Sequence, residues 1–307
     1  MNPVASIQTF VEKHSRRETS GKPLVVFDCD GTVIDGDVGE AMFYYQIENF
    51  LFRQSPADVW PDHPQRKELD TLFGTLQGMT QEERSNNPLF QRFIRMVISW
   101  YFSQLEERKT DKACADIVRL MAGFTPAEAR AMGETILDFE LASPRKRTIL
   151  GGVTRPLGIR FIREALSFLQ MFQEGGFHIL AISGSNQWVV EAVFSRLGLH
   201  GGDVYGIDLT AENGILTRIV KEPIPVSGGK VECIRRTVGK QPVMVLSDSS
   251  YDAPLFQYSS DLRVLINSRY ETSDRFFAEA GFTRDGTWLV IEQPHMMESV
   301  EWQMHKL

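Results

Sequence analysis

The chain has few cysteines, no long apolar run and no excess of basic residues. Its 3 cysteines among 307 residues are scattered and lack Cys-x-x-Cys spacing, which excludes a disulfide framework and favours a reducing compartment. No stretch approaches the ~18 consecutive apolar residues of a membrane-spanning helix. The N-terminal sequence also lacks the apolar core of a signal peptide. We therefore expect a cytoplasmic protein with no membrane partner.

The charge balance points away from nucleic acids as partners. There are 33 Lys and Arg residues against 40 Asp and Glu residues, a formal net charge of −7, whereas duplex-binding domains usually carry a basic surface. A small anionic ligand is compatible with this balance, because a local site can be positive on an acidic protein. Hydrophobic residues make up 42% and charged residues 24%, which is ordinary for a globular protein.

Two patterns of secondary structure occupy different parts of the chain. Leu24–Phe27 is a short apolar run after a Gly/Pro break, which predicts a buried strand. Residues 36–151 show helical periodicity, with few strand-like runs. Short apolar runs then alternate with helical patterns. The predicted strands are 177–182, 204–209, 243–246 and 262–266, and the predicted helices are 159–174, 186–197 and 230–238.

This alternation predicts an α/β fold with a doubly wound parallel sheet that is covered by helices on both faces. The strands come from both ends of the chain. We therefore predict one Rossmann-like core domain built from residues 1–35 and 152–307. Residues 36–151 are predicted to form an all-helical cap domain inserted after the first strand.

Polar residues follow the predicted strands at their carboxyl ends, where ligands bind in such sheets. They are Asp28, Asp30 and Thr32 after the first strand, Ser183 and Gly184 after the second, Lys230 at the start of a helix, and Asp248 and Asp252 after residues 243–246. We expect these carboxylates, hydroxyls and the ammonium group to meet at one edge of the sheet.

Such a set suits the transfer of a phosphoryl group. Carboxylates that are held together repel unless a cation neutralises them, and hard oxygen ligands beside a phosphate suit Mg²⁺. Asp28 can act as a nucleophile that forms an aspartyl-phosphate, and Asp30 can protonate the leaving oxygen and later activate water. Ser183 and the amides after it can bind phosphate oxygens. Lys230 can place a positive charge on the transferring group.

The sequence Asp28-Cys29-Asp30-Gly31-Thr32 resembles the DxDGT signature of the haloacid dehalogenase-like (HAD) phosphatase superfamily. Ser183, Lys230 and the pair Asp248 and Asp252 are similar to its second, third and fourth motifs, in order. The chain looks most like the phosphoserine phosphatase-like branch, which has a helical C1-type cap.

The resemblance implies roles for the motif residues. The Asp28 carboxylate, the Asp30 backbone carbonyl and the Asp248 carboxylate would bind Mg²⁺. Asp252 would act through a water or by orienting Lys230. Thr32, Ser183 and Gly184 are expected to contribute to phosphate binding.

Other residues bear on the substrate. Tyr251 stands where phosphoserine phosphatases commonly have Asn, and Ser185 replaces a Gly, which argues against phosphoserine itself but not against phosphatase chemistry. Asp37 or Glu40 is expected to face a substrate amine, and the alternative is a helix N-cap or a solvated linker charge. The aromatic-rich cap suits a quaternary ammonium, and the alternative is helical core packing.

The predicted function is Mg²⁺-dependent hydrolysis of a small phosphomonoester, such as phosphoserine, phosphorylcholine or phosphoethanolamine. Two alternatives remain open: a phosphotransferase or mutase on the same scaffold, and a non-catalytic regulatory protein that binds a phosphorylated ligand. Asp30 argues against the second, because a binding module needs no acid–base carboxylate, and it also argues against dehalogenation. The predicted partner is a small phosphorylated metabolite, and the sequence leaves the oligomeric state open.

Overall fold

The computed structural model describes residues 3–15 and 21–297. Helices α1 to α13 are Pro3–Ser15, Val38–Glu48, Pro56–Val59, Arg66–Gln77, Gln81–Ser85, Pro88–Glu106, Thr110–Arg119, Pro126–Ala142, Arg163–Glu174, Gln187–Ser195, Gly228–Thr237, Ala253–Tyr258 and Ser273–Ala280. Strands β1 to β12 are Leu24–Phe27, Ile34–Asp35, Lys146–Leu150, Val153–Leu157, Arg160–Phe161, His178–Asn186, Val204–Ile207, Leu209–Glu212, Ile215–Val220, Met244–Ser247, Leu262–Ile266 and Trp288–Ile291.

Six parallel strands form the main sheet, in the order β12-β11-β10-β1-β6-β7. All four residues of β1 are buried, as expected for a central strand with helices on both faces. The chain builds one half of the sheet outward from β1 through β6 and β7, and then returns to the other side of β1 with β10. The predicted doubly wound sheet is therefore confirmed, and its order reverses between β1 and β10, where such folds bind ligands.

The predicted insertion is helical from α2 to α8, but it is not helical to its end. β3 and β4 form an antiparallel hairpin over residues 146–157, so the predicted boundary at 151/152 falls inside this hairpin. Its first strand is largely exposed and carries several charges, which leaves no apolar alternation to reveal it in the sequence. No helix in the described part of the chain has the length and apolarity to cross a membrane.

A second short ribbon shifts the start of a predicted helix. Ile34 pairs with Phe161 and Asp35 pairs with Arg160, so β2 and β5 lie antiparallel where the chain leaves and re-enters the core. Helix α9 therefore begins at Arg163 rather than at residue 159. The hairpin of β8 and β9 and the edge strand β12 were also not predicted, because each is short and follows turn-rich sequence.

The helical insertion is attached to the core away from its two chain crossings. Helix α8 packs on α10 so closely that a Cβ on Gly133 would lie 2.8 Å from the Trp188 carbonyl oxygen. Arg196 on the core side pairs with Glu134 at 3.0 Å. On another side, the Leu216 amide donates a hydrogen bond to the Phe124 carbonyl at 2.8 Å. The cap is thus held by a helix interface and by a backbone pairing.

Candidate active site

The parallel pairing of β1 and β10 brings Asp28 and Asp248 together. Phe27 and Leu246 are register partners, and each acid follows its strand at the same sheet edge. The Thr32 hydroxyl donates to Asp28 Oδ2 at 3.1 Å and to Asp248 Oδ1 at 3.3 Å. One hydroxyl therefore contacts both carboxylates.

Gly31 lies in the turn that follows Asp28 and Asp30. Its φ of +72° lies in the left-handed region that favours glycine. A Cβ at this position would overlap the Asp248 carboxylate. The glycine of the first motif is thus required both by the backbone conformation and by the space that Asp248 occupies.

Lys230 links the first and fourth motifs. Its ammonium lies 2.8 Å from Asp28 Oδ1 and 2.7 Å from Asp252 Oδ2, and the Ser247 hydroxyl donates to Asp252 at 2.6 Å. Burial by itself would lower the pKa of Lys230, but the Asp252 and Asp28 carboxylates outweigh it and raise the pKa. Lys230 is therefore a permanent positive charge beside Asp28, and Asp252 holds it there.

Asp30 has different partners from Asp28. Its Oδ1 accepts from the Val38 amide at 2.7 Å, and its Oδ2 accepts from the hydroxyls of Ser183 at 2.9 Å and Ser185 at 2.7 Å. Burial, with the nearby charges of Asp37 and Asp28, raises the pKa of Asp30 to about 7. A substantial fraction of this carboxyl group is then protonated near neutral pH, which a general acid requires.

The predicted phosphate ligands are only partly at the cavity surface. Gly184 lines the cavity together with Ser185. Ser183 is completely buried, and its hydroxyl donates to Asp30 and accepts from the Ser185 amide at 3.0 Å. The Thr32 hydroxyl is engaged by the two carboxylates described above. The hydroxyls of Ser183 and Thr32 thus donate hydrogen bonds to the active-site carboxylates and orient them.

The residues present fit a hard divalent cation. Within the described ranges no three His, Cys, Asp or Glu side chains are arranged to hold a metal. The Asp30 side chain accepts from three donors, and its backbone carbonyl is the further ligand that the family resemblance implies. Two buried carboxylates on neighbouring strand ends, Asp28 and Asp248, supply the oxygen donors that Mg²⁺ prefers.

The cap contributes an acidic wall to the cavity, whose volume is about 1000 Å³ including space open to solvent. Asp37 is the N-cap of α2 and accepts from the Glu40 amide at 2.8 Å. Glu40 accepts from the Tyr101 hydroxyl at 3.0 Å. Burial, with the charge of Glu40, raises the pKa of Asp37 to about 7, and burial also raises the pKa of Glu40.

Arg269 is a cavity residue that the sequence analysis missed. It follows β11 and forms an ion pair with Asp248, and the negative charge of Asp248 raises the pKa of Arg269 further above its usual value. Its strand was predicted, so inspection of the residues after that strand end would have found it. Tyr251 also lines the cavity, with 57% of its surface exposed.

Most aromatic residues of the cap pack on one another. Phe50 lies 5.3 Å from Phe73 and 5.4 Å from Phe93, measured between ring centroids. Among the cap aromatics that the structure describes, Tyr101 lines the active-site cavity. Helical core packing thus accounts for the aromatic content of the cap, and no aromatic cage forms around the site within the described ranges.

Three comparisons place the chain among known proteins. Residues 22–259 match a family model described as haloacid dehalogenase-like hydrolase. No curated protein sequence matches the chain. A conserved functionally unknown protein from Anaerococcus prevotii DSM 20548 is similar in structure, with a TM-score of 0.69 and 18% identity over 86% of this chain and 85% of that one.

Two further solved structures resemble the chain less. A protein with unknown function from Bordetella pertussis Tohama I has a TM-score of 0.51 and 14% identity, over 89% of this chain and 99% of that one. A phospho-aspartyl intermediate analogue of phosphoserine phosphatase has a TM-score of 0.45 and 14% identity, over 90% of this chain and 95% of that one. The family model covers most of the chain and includes all four motifs, so the protein belongs to the haloacid dehalogenase-like hydrolase family.

Proposed function

We propose that the protein is a Mg²⁺-dependent phosphatase that hydrolyses a small phosphomonoester through an aspartyl-phosphate on Asp28. The observation that carries the proposal is the different bonding of the two motif acids. Asp28 is paired with the Lys230 ammonium at 2.8 Å, whereas Asp30 is held by hydroxyl and amide donors and has its pKa raised to about 7. The pairing with an ammonium group thus suits Asp28 to be the nucleophile, and the bonding of Asp30 suits it to carry a proton.

The proposed reaction has two steps. In the first, an oxygen of Asp28 attacks phosphorus, the bond from phosphorus to the leaving alcohol breaks, and Asp30 gives its proton to the alcohol oxygen. In the second, water attacks the phosphorus of the aspartyl-phosphate while Asp30 takes a proton from it. The bond to Asp28 breaks, and inorganic phosphate is released. Lys230 places positive charge beside the transferring group throughout.

The metal proposed for this site would be held by the Asp28 and Asp248 carboxylates and by the Asp30 carbonyl. When bound, Mg²⁺ would neutralise charge on the phosphoryl oxygens and on the two carboxylates. In the absence of metal, Arg269 is the basic side chain paired with Asp248. We expect Mg²⁺ to raise the melting temperature of the wild type, because it binds the folded state. We expect no such rise for Asp248→Asn.

The charges around the cavity favour a substrate with an amine. Apart from the proton-carrying Asp30, its described lining holds the acids Asp28, Asp37, Glu40, Asp248 and Asp252 against the basic residues Lys230 and Arg269. A Mg²⁺ ion and a phosphate dianion cancel each other, so the acidic excess remains when both bind. We propose that Glu40, with Asp37 behind it, faces the amine of a substrate such as phosphoethanolamine, phosphorylcholine or phosphoserine.

The first test is phosphate release from p-nitrophenyl phosphate with Mg²⁺ and with EDTA. We expect turnover that requires the metal and that is lost in Asp28→Asn, while Asp62→Asn, an exposed acid, retains it. Equal turnover in Asp28→Asn would contradict the nucleophile. Adding an alcohol acceptor and comparing free phosphate with phosphorylated acceptor distinguishes the hydrolase from the alternative phosphotransferase.

A panel of phosphate esters tests the substrate class. We expect kcat/KM for phosphoethanolamine to exceed that for glycerol phosphate, and we expect Glu40→Gln to reduce this preference. A preference that survives in Glu40→Gln would place the amine elsewhere. The ligand is thus a small phosphorylated metabolite, with no role for nucleic acid, and the sparse cysteines lead us to propose a cytoplasmic location.

A further inference from the structure

A second cavity lies where the chain crosses between core and cap. It has a volume of about 730 Å³ including space open to solvent, and we call it the hinge pocket. It shares Asp37 and Glu40 with the active-site cavity and no other lining residue. The two carboxylates therefore form the boundary between two separate cavities.

The walls of the hinge pocket come from both crossings of the chain. Gly36 lies on the outgoing crossing, and Gly158 and Ile159 lie on the returning one. Helix α2 contributes Ala41 and Tyr44. A ligand in this pocket would touch both crossings and the helix that carries Glu40.

Charge is distributed unevenly in the hinge pocket. Glu140 is buried, with 3% of its surface exposed, and accepts a hydrogen bond from the Gly158 amide at 2.7 Å. The Arg155 guanidinium lies 3.9 Å from Glu140. The lining holds the acids Asp35, Asp37, Glu40 and Glu140 against two basic residues. Arg145 and Lys146 are exposed lining residues. Arg145 pairs with Asp35, but among the described residues the side chain of Lys146 has no recorded partner.

Tyr44 supplies an independent sign that the pocket takes a ligand. Its side chain is almost completely buried, with 2% of its surface exposed, and the Arg155 guanidinium lies 5.4 Å from its ring centroid. Its hydroxyl makes no hydrogen bond with any residue that the structure describes. Burial, with the charges of Glu40 and Asp37, raises the pKa of Tyr44, so this hydroxyl stays neutral and its oxygen can accept a hydrogen bond from an ammonium group. The hydroxyl is not among the fully buried side-chain atoms that lack a partner, so it lies at the surface of the pocket, where a ligand can reach it.

We propose that the hinge pocket binds a small zwitterion of the amino-acid class, with its ammonium group at Glu40, Glu140 and the Tyr44 hydroxyl and its carboxylate at Lys146. The lining also includes the apolar residues Ala41, Leu157 and Ile159, which suit a short chain of methylene groups. A ligand with only one charged group would pair with the acids or with Lys146, and would leave the other without a counter-ion.

Binding at the hinge pocket also affects the active site, a consequence that rests on the proposed function. Glu40 faces both cavities, so an ammonium group on the hinge side weakens its attraction for a substrate amine on the other side. The zwitterion would then act as an inhibitor that raises KM for amine-bearing esters more than for p-nitrophenyl phosphate. Binding itself does not depend on turnover and is tested separately.

The test is isothermal titration calorimetry on the full chain. The zwitterionic probes are glycine, γ-aminobutyrate and 6-aminohexanoate, which differ in charge separation, and the single-charge controls are butylamine and butyrate. The titrations are repeated with Mg²⁺ and tungstate, a phosphate analogue, present to fill the active site. We expect at least one zwitterion to bind more tightly than either control, with a Kd that tungstate leaves unchanged.

Two variants locate the binding site. We expect Tyr44→Phe to weaken binding about fivefold through the lost hydrogen bond, and Lys146→Gln to weaken it about two- to fivefold. Tyr45→Phe and Lys67→Gln are the matched controls, because neither residue lines the pocket, and they should leave Kd unchanged. Lys146 and Lys67 are exposed, so their variants test the site without a folding defect.

Four results would overturn the proposal: no binding by any zwitterion at millimolar concentration, equal binding by butylamine or butyrate, an unchanged Kd in both pocket variants, or mutual exclusion with tungstate. Failure of the proposed phosphatase activity would not produce any of them, because the calorimetric signal requires no turnover.

Discussion

At the scale of single residues, the two acids of the first motif differ in what holds them. Asp28 has an ammonium partner and Asp30 has hydroxyl and amide partners, although they are two residues apart. A continuous strand would place residues 28 and 30 on one face, but the strand ends at Phe27 and the chain turns at Gly31. The two acids therefore meet different partners, and one sequence motif supplies two chemical roles.

Replacement of Asp30 should have an effect that depends on the leaving group. We expect Asp30→Asn to lower kcat by about 10²- to 10⁴-fold for an alkyl phosphate, because an alkoxide needs a proton to leave. The loss should be smaller for the phosphorylation step with p-nitrophenyl phosphate, whose leaving group departs as a stable anion. Burst kinetics with both esters measure this ratio, and equal losses in the first step would remove Asp30 from the acid role.

At Gly31 a single methyl group should be harmful for two reasons. Alanine there adopts a left-handed φ at a cost of about 1–2 kcal/mol and also meets the Asp248 carboxylate. Gly21→Ala is the matched control, since its φ of +77° is similar and a Cβ there meets nothing within 4 Å.

We expect Gly31→Ala to lower the free energy of unfolding more than Gly21→Ala and to lose turnover, whereas Gly21→Ala keeps it. Urea denaturation and the p-nitrophenyl phosphate assay provide the two measurements. Similar behaviour of the two variants would mean that Asp248 moves aside without consequence.

At the scale of elements, the α8–α10 interface depends on a glycine in the middle of a helix. Gly133 is buried, and a Cβ there would press against the Trp188 carbonyl oxygen. Gly74 lies inside the exposed face of α4, where a Cβ meets nothing within 4 Å. The two positions therefore separate helix propensity from packing.

We expect Gly74→Ala to stabilise the protein by about 0.5–1 kcal/mol through helix propensity. Gly133→Ala should gain the same stability from helix propensity. It should lose more stability because the added methyl group pushes the two helices apart, and overpacking typically costs about 1–3 kcal/mol. Urea denaturation of both variants checks this. If Gly133→Ala were as stabilising as Gly74→Ala, the close approach of α8 to α10 would be relieved at no cost.

At the scale of the whole molecule, the attachments of the cap to the core in the described part of the chain include four that restrain its motion. Two are the chain crossings, one is the α8–α10 interface, and one is the pairing of Gly123 and Phe124 with Leu216. Two chain crossings at one hinge would by themselves allow the cap to close over the site as a unit. The additional attachments oppose a rigid-body swing of the cap, because they lie away from the hinge.

Hydrogen exchange with and without Mg²⁺ and vanadate should show this restraint. We expect amides of α8 and α10 to keep the same protection in both states, while the segments that line the active-site cavity gain protection. Strongly increased exchange in α8 and α10 of the ligand-free protein would show that the interface opens and that the cap moves as a unit.

The sequence predicts a feature well where a local pattern of neighbouring residues marks it, and poorly where no such pattern exists. Asp28, Asp30, Lys230 and Asp248 were predictable because each sits directly after a buried apolar strand or at a helix start. Arg269 was missed although it obeys the same rule. The hairpin at 146–157 was missed because its exposed first strand carries charges instead of an apolar alternation.

The sequence by itself determined the doubly wound core, the helical insertion and the membership of the four motifs in one site, because strand ends and glycine turns are local features. Only the tertiary structure decided that Ser183 and Thr32 donate hydrogen bonds to the acids, that Asp37 and Glu40 border two cavities, and that the cap is anchored to α10. These facts depend on which side chains meet across distant segments, and residues such as Thr32 and Asp248 are brought together by sheet pairing alone.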